Sequence, residues 1–149
     1  MVILDARWAS LGNTNQLKEL EMKLPIEVNN SKIPVFLSRF APINIQAFSF
    51  GIWIFCRGEF STRMRNHERI HYLQQLELLF VGQFILYGIF WLWKLVETTR
   101  ENGKLNPRLA YFENPFEREA YNHDVCPYYY EERKPYAWMK YLRRRDLNS

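Results

Sequence analysis

Between Arg63 and Asn102 nothing interrupts a helical pattern, and the inner part of that stretch, Leu78 to Trp93, carries no charge over sixteen residues. Gln83 is the only strongly polar side chain there. Apolar side chains run all round the helix, so this is no ordinary amphipathic surface helix. Such a segment belongs either in a membrane or at the centre of a helical core. Sixteen helical residues span about 24 Å against about 30 Å of hydrocarbon. Counting through Val96, with Lys94 snorkelling towards the headgroups, gives about 28 Å. Trp91 and Trp93 near one end fit an interfacial belt. Residues 78–96 are therefore expected to associate with a membrane, spanning it or half inserted, with a buried helix of a soluble cytoplasmic protein as the alternative. Charge does not set an orientation, because Arg57, Arg63, Arg65 and Arg69 on one side face Lys94, Arg100 and Lys104 on the other.

The polar first part of the same helix holds His67-Glu68-Arg69-Ile70-His71, in a chain with only three histidines. Residues four apart on an α-helix are turned by about 40° from each other, so both imidazoles leave one face. That face can supply two corners of a tetrahedral metal site, with Glu68 beside it to take a proton from the ion's water. Two surface histidines can share this spacing for no reason. Context argues against that here: the pattern opens a strongly helical stretch and follows a strand-like run.

Two histidines leave a ligand missing. Gln74 and Glu77 lie further along an unbroken helical pattern, and Glu77 points well away from the His67/His71 face. A returning chain with a third histidine at that point is thereby disfavoured, and the remaining candidates lie in Asn114–Asp124. There, Glu117-Arg118-Glu119-Ala120-Tyr121 resembles the E-x-x-A-(D/N) element of gluzincin metallopeptidases. The run His67-Glu68-x-x-His71-x-x-Gln74 resembles the H-E-x-x-H-x-x-Q form of several small gluzincin domains. The resemblance covers residues 50–125. It implies a small zincin-like α+β domain with Zn²⁺ as cofactor, Glu117 as third zinc ligand, and a peptide or protein as substrate. Tyr121 stands where those proteins commonly have an acidic or amide residue. In zincins the strand before the catalytic helix aligns an extended substrate by backbone pairing, a role that falls to Ile52–Phe55.

Read from the residues alone, alternatives stay open. Glu117 stands three residues after Asn114, where a Glu completes a capping interaction. Glu119 is turned about 200° from Glu117 on an ideal helix, so the two cannot face one ion. His123 is a further option as ligand. It is also a candidate donor to a developing oxyanion, as are Tyr121 and the run Tyr128–Tyr130. The expected metal ligands are thus His67, His71 and Glu117, and the expected catalytic residues Glu68, Tyr121 and His123. The competing function is a membrane-associated adaptor without catalysis, its metal site structural or absent. Glu68 separates the two, since a structural site has no use for it.

The remaining chain reads as parts of one domain of 149 residues, long enough to bury a real core. Residues 1–32 are poorly readable, with a short strand expected at Met1–Trp8 and a weak helix at Asn13–Lys23. Residues 33–57 read as strands, among them Val35-Phe36-Leu37 and Ile52-Trp53-Ile54-Phe55. Ser61 or Thr62 caps the catalytic and hydrophobic helix over 63–101. A loop runs through Pro107, Asn114 and Pro115 start a helix over 114–125, and a last helix occupies 135–146. Met1–Leu4 is broken at once by Asp5 and Arg7, which does not make a signal peptide. Cys56 and Cys126 form no metal or disulfide framework and suit reduced thiols, consistent with an active site facing the cytoplasm. The net charge of +4 is modest, and residues 131–149 hold six Lys/Arg against three Asp/Glu. That basic tail suits anionic lipid headgroups, and no nucleic-acid partner is expected.

Overall fold

The computed structural model describes residues 24–143. The expected strand at Met1–Trp8, the weak helix at Asn13–Lys23 and the basic pair Arg144–Arg145 lie outside them. The described residues form a mixed α+β architecture with a three-stranded sheet and six α-helices. The strands are β1 (Ile26–Val28), β2 (Ala47–Phe50) and β3 (Trp53–Cys56). β3 is central, parallel to β1 and antiparallel to β2. Its side chains alternate, and Ile54 and Cys56 are buried on the core face.

The expected strand at Val35–Leu37 is instead a helix, α1 (Ile33–Leu37). Pro34 sits in its first turn, where a fixed φ suits a helix and the missing N–H costs nothing. Ser38 then closes the turn, its hydroxyl donating to the Pro34 carbonyl at 2.7 Å. β-branched and aromatic composition alone points the other way.

Ser61 caps the long helix as expected, its hydroxyl accepting from the Met64 N–H at 3.2 Å. The helix over 63–101 is not continuous. It is two helices, α2 (Thr62–Glu77) and α3 (Val81–Asn102), bent by 109° at the junction. Leu79 and Phe80 both have positive φ, at 52° and 60°. The Val81 N–H bonds the Leu79 carbonyl across Phe80, a γ-turn of the strained hand. Neither residue is Gly or Asn, so no local signal announces the break. No single helix among the described residues is long and apolar enough to cross a membrane.

The expected loop before Asn114 holds another helix, α4 (Pro107–Phe112), started by Asn106 with its side chain on the Leu109 N–H. This is the same Asn-Pro grammar that starts α5 (Pro115–His123), where Asn114 accepts from the Phe116 N–H. The core lies where α5 meets α3 and the last turn. Phe116 and Ala120 are fully buried, and the Phe116 ring packs on Trp138 and Phe90. A short α6 (Tyr129–Glu132) follows. In place of the expected last helix over 135–146 is a 3₁₀ turn, Ala137–Tyr141. Cys56 is buried and Cys126 exposed, and neither is in a disulfide.

Candidate metal centre

α2 and α5 pack face to face, and the contact brings His67, His71 and Glu117 together as a buried group that can hold a metal ion. The His67 and His71 Nε2 atoms are 3.1 Å apart. Each lies 3.4 Å from a Glu117 oxygen, Oε2 for His67 and Oε1 for His71. Ligands held about 2.0–2.1 Å from a tetrahedral ion sit about 3.3 Å from one another, so the three donors have the spacing such an ion requires. Glu117 Oε2 is buried and accepts no hydrogen bond. An orphaned carboxylate oxygen beside two facing imidazole nitrogens is the chemistry of a cation site.

The outer nitrogens of the two rings are also accounted for. Gln74 Oε1 lies 2.8 Å from His71 Nδ1, and Asp124 Oδ2 lies 3.9 Å from His67 Nδ1. The Gln74 acceptor at His71 Nδ1 holds the proton there and turns the Nε2 lone pair inward, whereas Asp124 faces His67 Nδ1 as a charged neighbour beyond hydrogen-bond distance. Both groups are themselves anchored. Gln74 donates to the Phe116 carbonyl and to Glu119, and Asp124 receives Arg63 at 2.8 Å. Burial opposes charge on His67, but the nearby carboxylates of Asp124 and Glu117 outweigh it and push the imidazole up to about 10. Burial likewise opposes charge on Glu117, but the two histidines hold its carboxyl far below the usual carboxylate range. Glu68 is raised by burial, against the lowering pull of His71 and His67.

The centre opens into a cleft of about 640 Å³. Glu68 and Tyr121 line it with the three donors. The Tyr121 ring meets His67 edge-on at 4.5 Å, and its hydroxyl is 3.4 Å from that of Tyr111. His123 does not line this cleft. Its ring stacks on Tyr129 at 3.7 Å and its Nε2 bonds the Tyr141 hydroxyl. Tyr128–Tyr130 are also absent from the lining. Glu119, the alternative ligand, is fully buried on the other side of α5, bound by Arg133, Tyr129 and Gln74. Glu77 is bound by Arg133 rather than solvated.

The strand expected to align a substrate is placed differently. β3 is paired on both sides, so Ile52–Phe55 has no free edge. The strand on the cleft is β2. The Arg57 N–H donates to the Gln46 carbonyl, so by alternation Ala47 and Ser49 turn their peptide groups away from β3. Those of Ser49 are engaged, its carbonyl by Gln75 and its backbone by Glu68. Ala47 keeps its outward peptide group at the cleft wall.

Sequence reasoning missed Asp124 and Tyr87. Asp124 had a signal, since seven residues after Glu117 returns to the same helix face. Tyr87 had none. Its hydroxyl donates to Glu117 Oε1 at 2.9 Å. In a continuous helix it would stand about 24 Å along the axis from His71. Fold and site define an α+β domain with a buried two-histidine, one-glutamate centre facing an apolar cleft. No protein family, no curated protein and no solved structure matches the chain.

Proposed function

We propose that the protein is a zinc-dependent hydrolase acting on peptide bonds. The observation that carries this reading is the three-donor group at 3.1–3.4 Å spacing with Glu68 next to it on the cleft wall. Two nitrogens and one carboxylate suit zinc, which supplies Lewis acidity and brings a water's pKa towards neutrality. Glu68, a carboxylate whose pKa is raised by burial, accepts a proton from the attacking water and returns it to the departing amine. Tyr121 offers its hydroxyl to the carbonyl oxygen from the cleft wall. Ala47 offers a strand edge to an extended backbone, which favours a polypeptide over a small ester.

The test is metal content and turnover together. Wild type is expected to hold one zinc ion per chain, with His71→Ala and Glu117→Ala losing it. Glu68→Gln is expected to keep the metal and lose cleavage of a mixed peptide pool read by mass spectrometry. A zinc-loaded Glu68→Gln protein as active as wild type, or a wild type that takes up no zinc, would sink the reading.

A second reading concerns the outer face of α3. Val81, Ile85, Ile89, Leu92 and Val96 recur at helical spacing and are all exposed. This face supports attachment to a membrane surface, and with it a non-catalytic, membrane-associated adaptor whose metal is structural. Sedimentation with mixed phosphatidylcholine–phosphatidylserine vesicles tests attachment, with Ile89→Glu expected to weaken it. Turnover that depends on Glu68 would exclude the adaptor.

A further inference from the structure

The cleft has one wall whose make-up the metal centre does not explain. α3 presents Phe84, Gly88 and Trp91 to it, one helical face, and Ile43, Ile45 and Phe48 line it too, the Phe48 ring 6.3 Å from that of Phe84. This wall carries no charge. The charged groups of the cleft, Arg63, Glu68, Glu117 and Asp124, belong to the metal end.

Gly88 is the anomaly. Glycine in a helix interior is less stable than alanine by about 0.5–1 kcal/mol. Two structural reasons for a helical glycine are absent here: its φ is not positive, and a Cβ placed on this exposed position would meet nothing within 4 Å. The missing side chain therefore leaves open space beside α3 on the exposed, cleft-lining side at Gly88. Beside this wall runs the unpaired peptide edge of Ala47.

We infer that Gly88 is the gauge of a specificity subsite: the cleft takes an extended peptide and seats one bulky apolar side chain, of Phe, Leu or Met size, against Gly88. The strand edge selects a polypeptide, since an aliphatic lipid chain has no amides to pair with Ala47. The absence of charge excludes acidic and basic side chains, whose desolvation nothing on this wall would offset. The inference rests on the reading of the cleft as a peptide-binding site. Burying a Phe-sized group is worth a factor of about ten or more in affinity.

The probes are two capped, fluorescein-labelled peptides, Ala-Gly-Phe-Phe-Gly-Ala and the same sequence with Ser-Ser at its centre. Binding is read by fluorescence anisotropy on the full-length, zinc-loaded protein carrying Glu68→Gln, so that bound peptide stays intact. Cleavage is read separately with Glu68 in place. The Phe peptide is expected to bind about tenfold or more tighter than the Ser peptide. Gly88→Leu fills the space with a good helix former. It should remove that advantage while leaving the weak Ser binding unchanged, and Gly88→Ala should lie between. Thermal melts confirm that the variants fold. Equal binding of both peptides, or a Gly88→Leu protein that binds the Phe peptide like its parent, overturns the subsite. Selective, Gly88-sensitive binding without cleavage supports the subsite and refutes the hydrolase.

Discussion

Each histidine of the centre faces one outer polar group, and the two differ in kind: Gln74 accepts from His71 at 2.8 Å, and Asp124 stands 3.9 Å from His67. Gln74 is neutral, fully buried and hydrogen-bonded on both sides. Asp124 is charged and tied to an exposed arginine. If the proposed zinc ion is held here, removing the hydrogen-bonded partner loosens the His71 ring without removing a ligand, so Gln74→Leu should weaken metal affinity by about 10–100-fold and Asp124→Ala by less. Chelator competition measures this, and unchanged affinity would mean that the rings are oriented by packing alone. The third histidine serves stability. His123 is held below its ordinary value by burial, with Lys140 adding to the effect and Glu119 opposing it. Tyr129 stacks on it and the Tyr141 hydroxyl bonds it. The unfolded chain therefore takes up a proton here at about pH 6.5, above the folded protein. Stability should fall as pH drops through that value, and the loss is complete below the folded pKa. Urea unfolding at pH 7.5 and 5.0 should show a smaller loss for His123→Asn than for wild type; equal losses would contradict it.

At the scale of elements, the break between α2 and α3 is the decisive feature. It turns α3 back so that Gln83 reaches Gln74 and Tyr87 reaches Glu117. The Gln75 side chain anchors the end of α2 to β2, through Ser49 and the Gly51 N–H. The turn itself is strained. Leu79 is 82% exposed with φ of 52°, so its side chain contributes little to offset the left-handed backbone. Leu79→Gly should therefore raise stability by about 1 kcal/mol, read as a higher urea midpoint with an unchanged slope. A destabilised variant would show that the exposed Leu79 side chain matters more than the backbone. The caps of α2, α4 and α5 are plainer, because a hydroxyl or amide followed by a helical turn is a local matter.

Over the whole molecule, Arg133 ties together parts that are far apart in the chain. Its guanidinium binds Glu77 at the end of α2 and Glu119 on α5, and Glu77 also receives the Tyr136 N–H. Removing it leaves the buried Glu119 and the half-buried Glu77 without a countercharge, and Arg133→Ala should cost about 3–5 kcal/mol. Denaturant unfolding checks the loss. A double variant that also carries Glu119→Ala should recover part of it, and the absence of recovery would place the defect elsewhere. The sequence by itself determined what depends on neighbours within a few turns. It set the spacing that puts His67 and His71 on one face, the Ser61 and Asn114 caps, and the α5 face that separates Glu117 from Glu119. It also carries two further local signals, the Asn106-Pro107 helix start and the return of Asp124 to the Glu117 face. Only the tertiary structure decided that the long helix breaks at Leu79–Phe80, that β2 and not β3 borders the cleft, and that Tyr87 and Gln83 reach the centre. Those outcomes turn on which surfaces are buried against each other. A Leu-Leu-Phe run favours a helix over a strained turn, and the packing of α2 on α5 and β2 overrides that local preference.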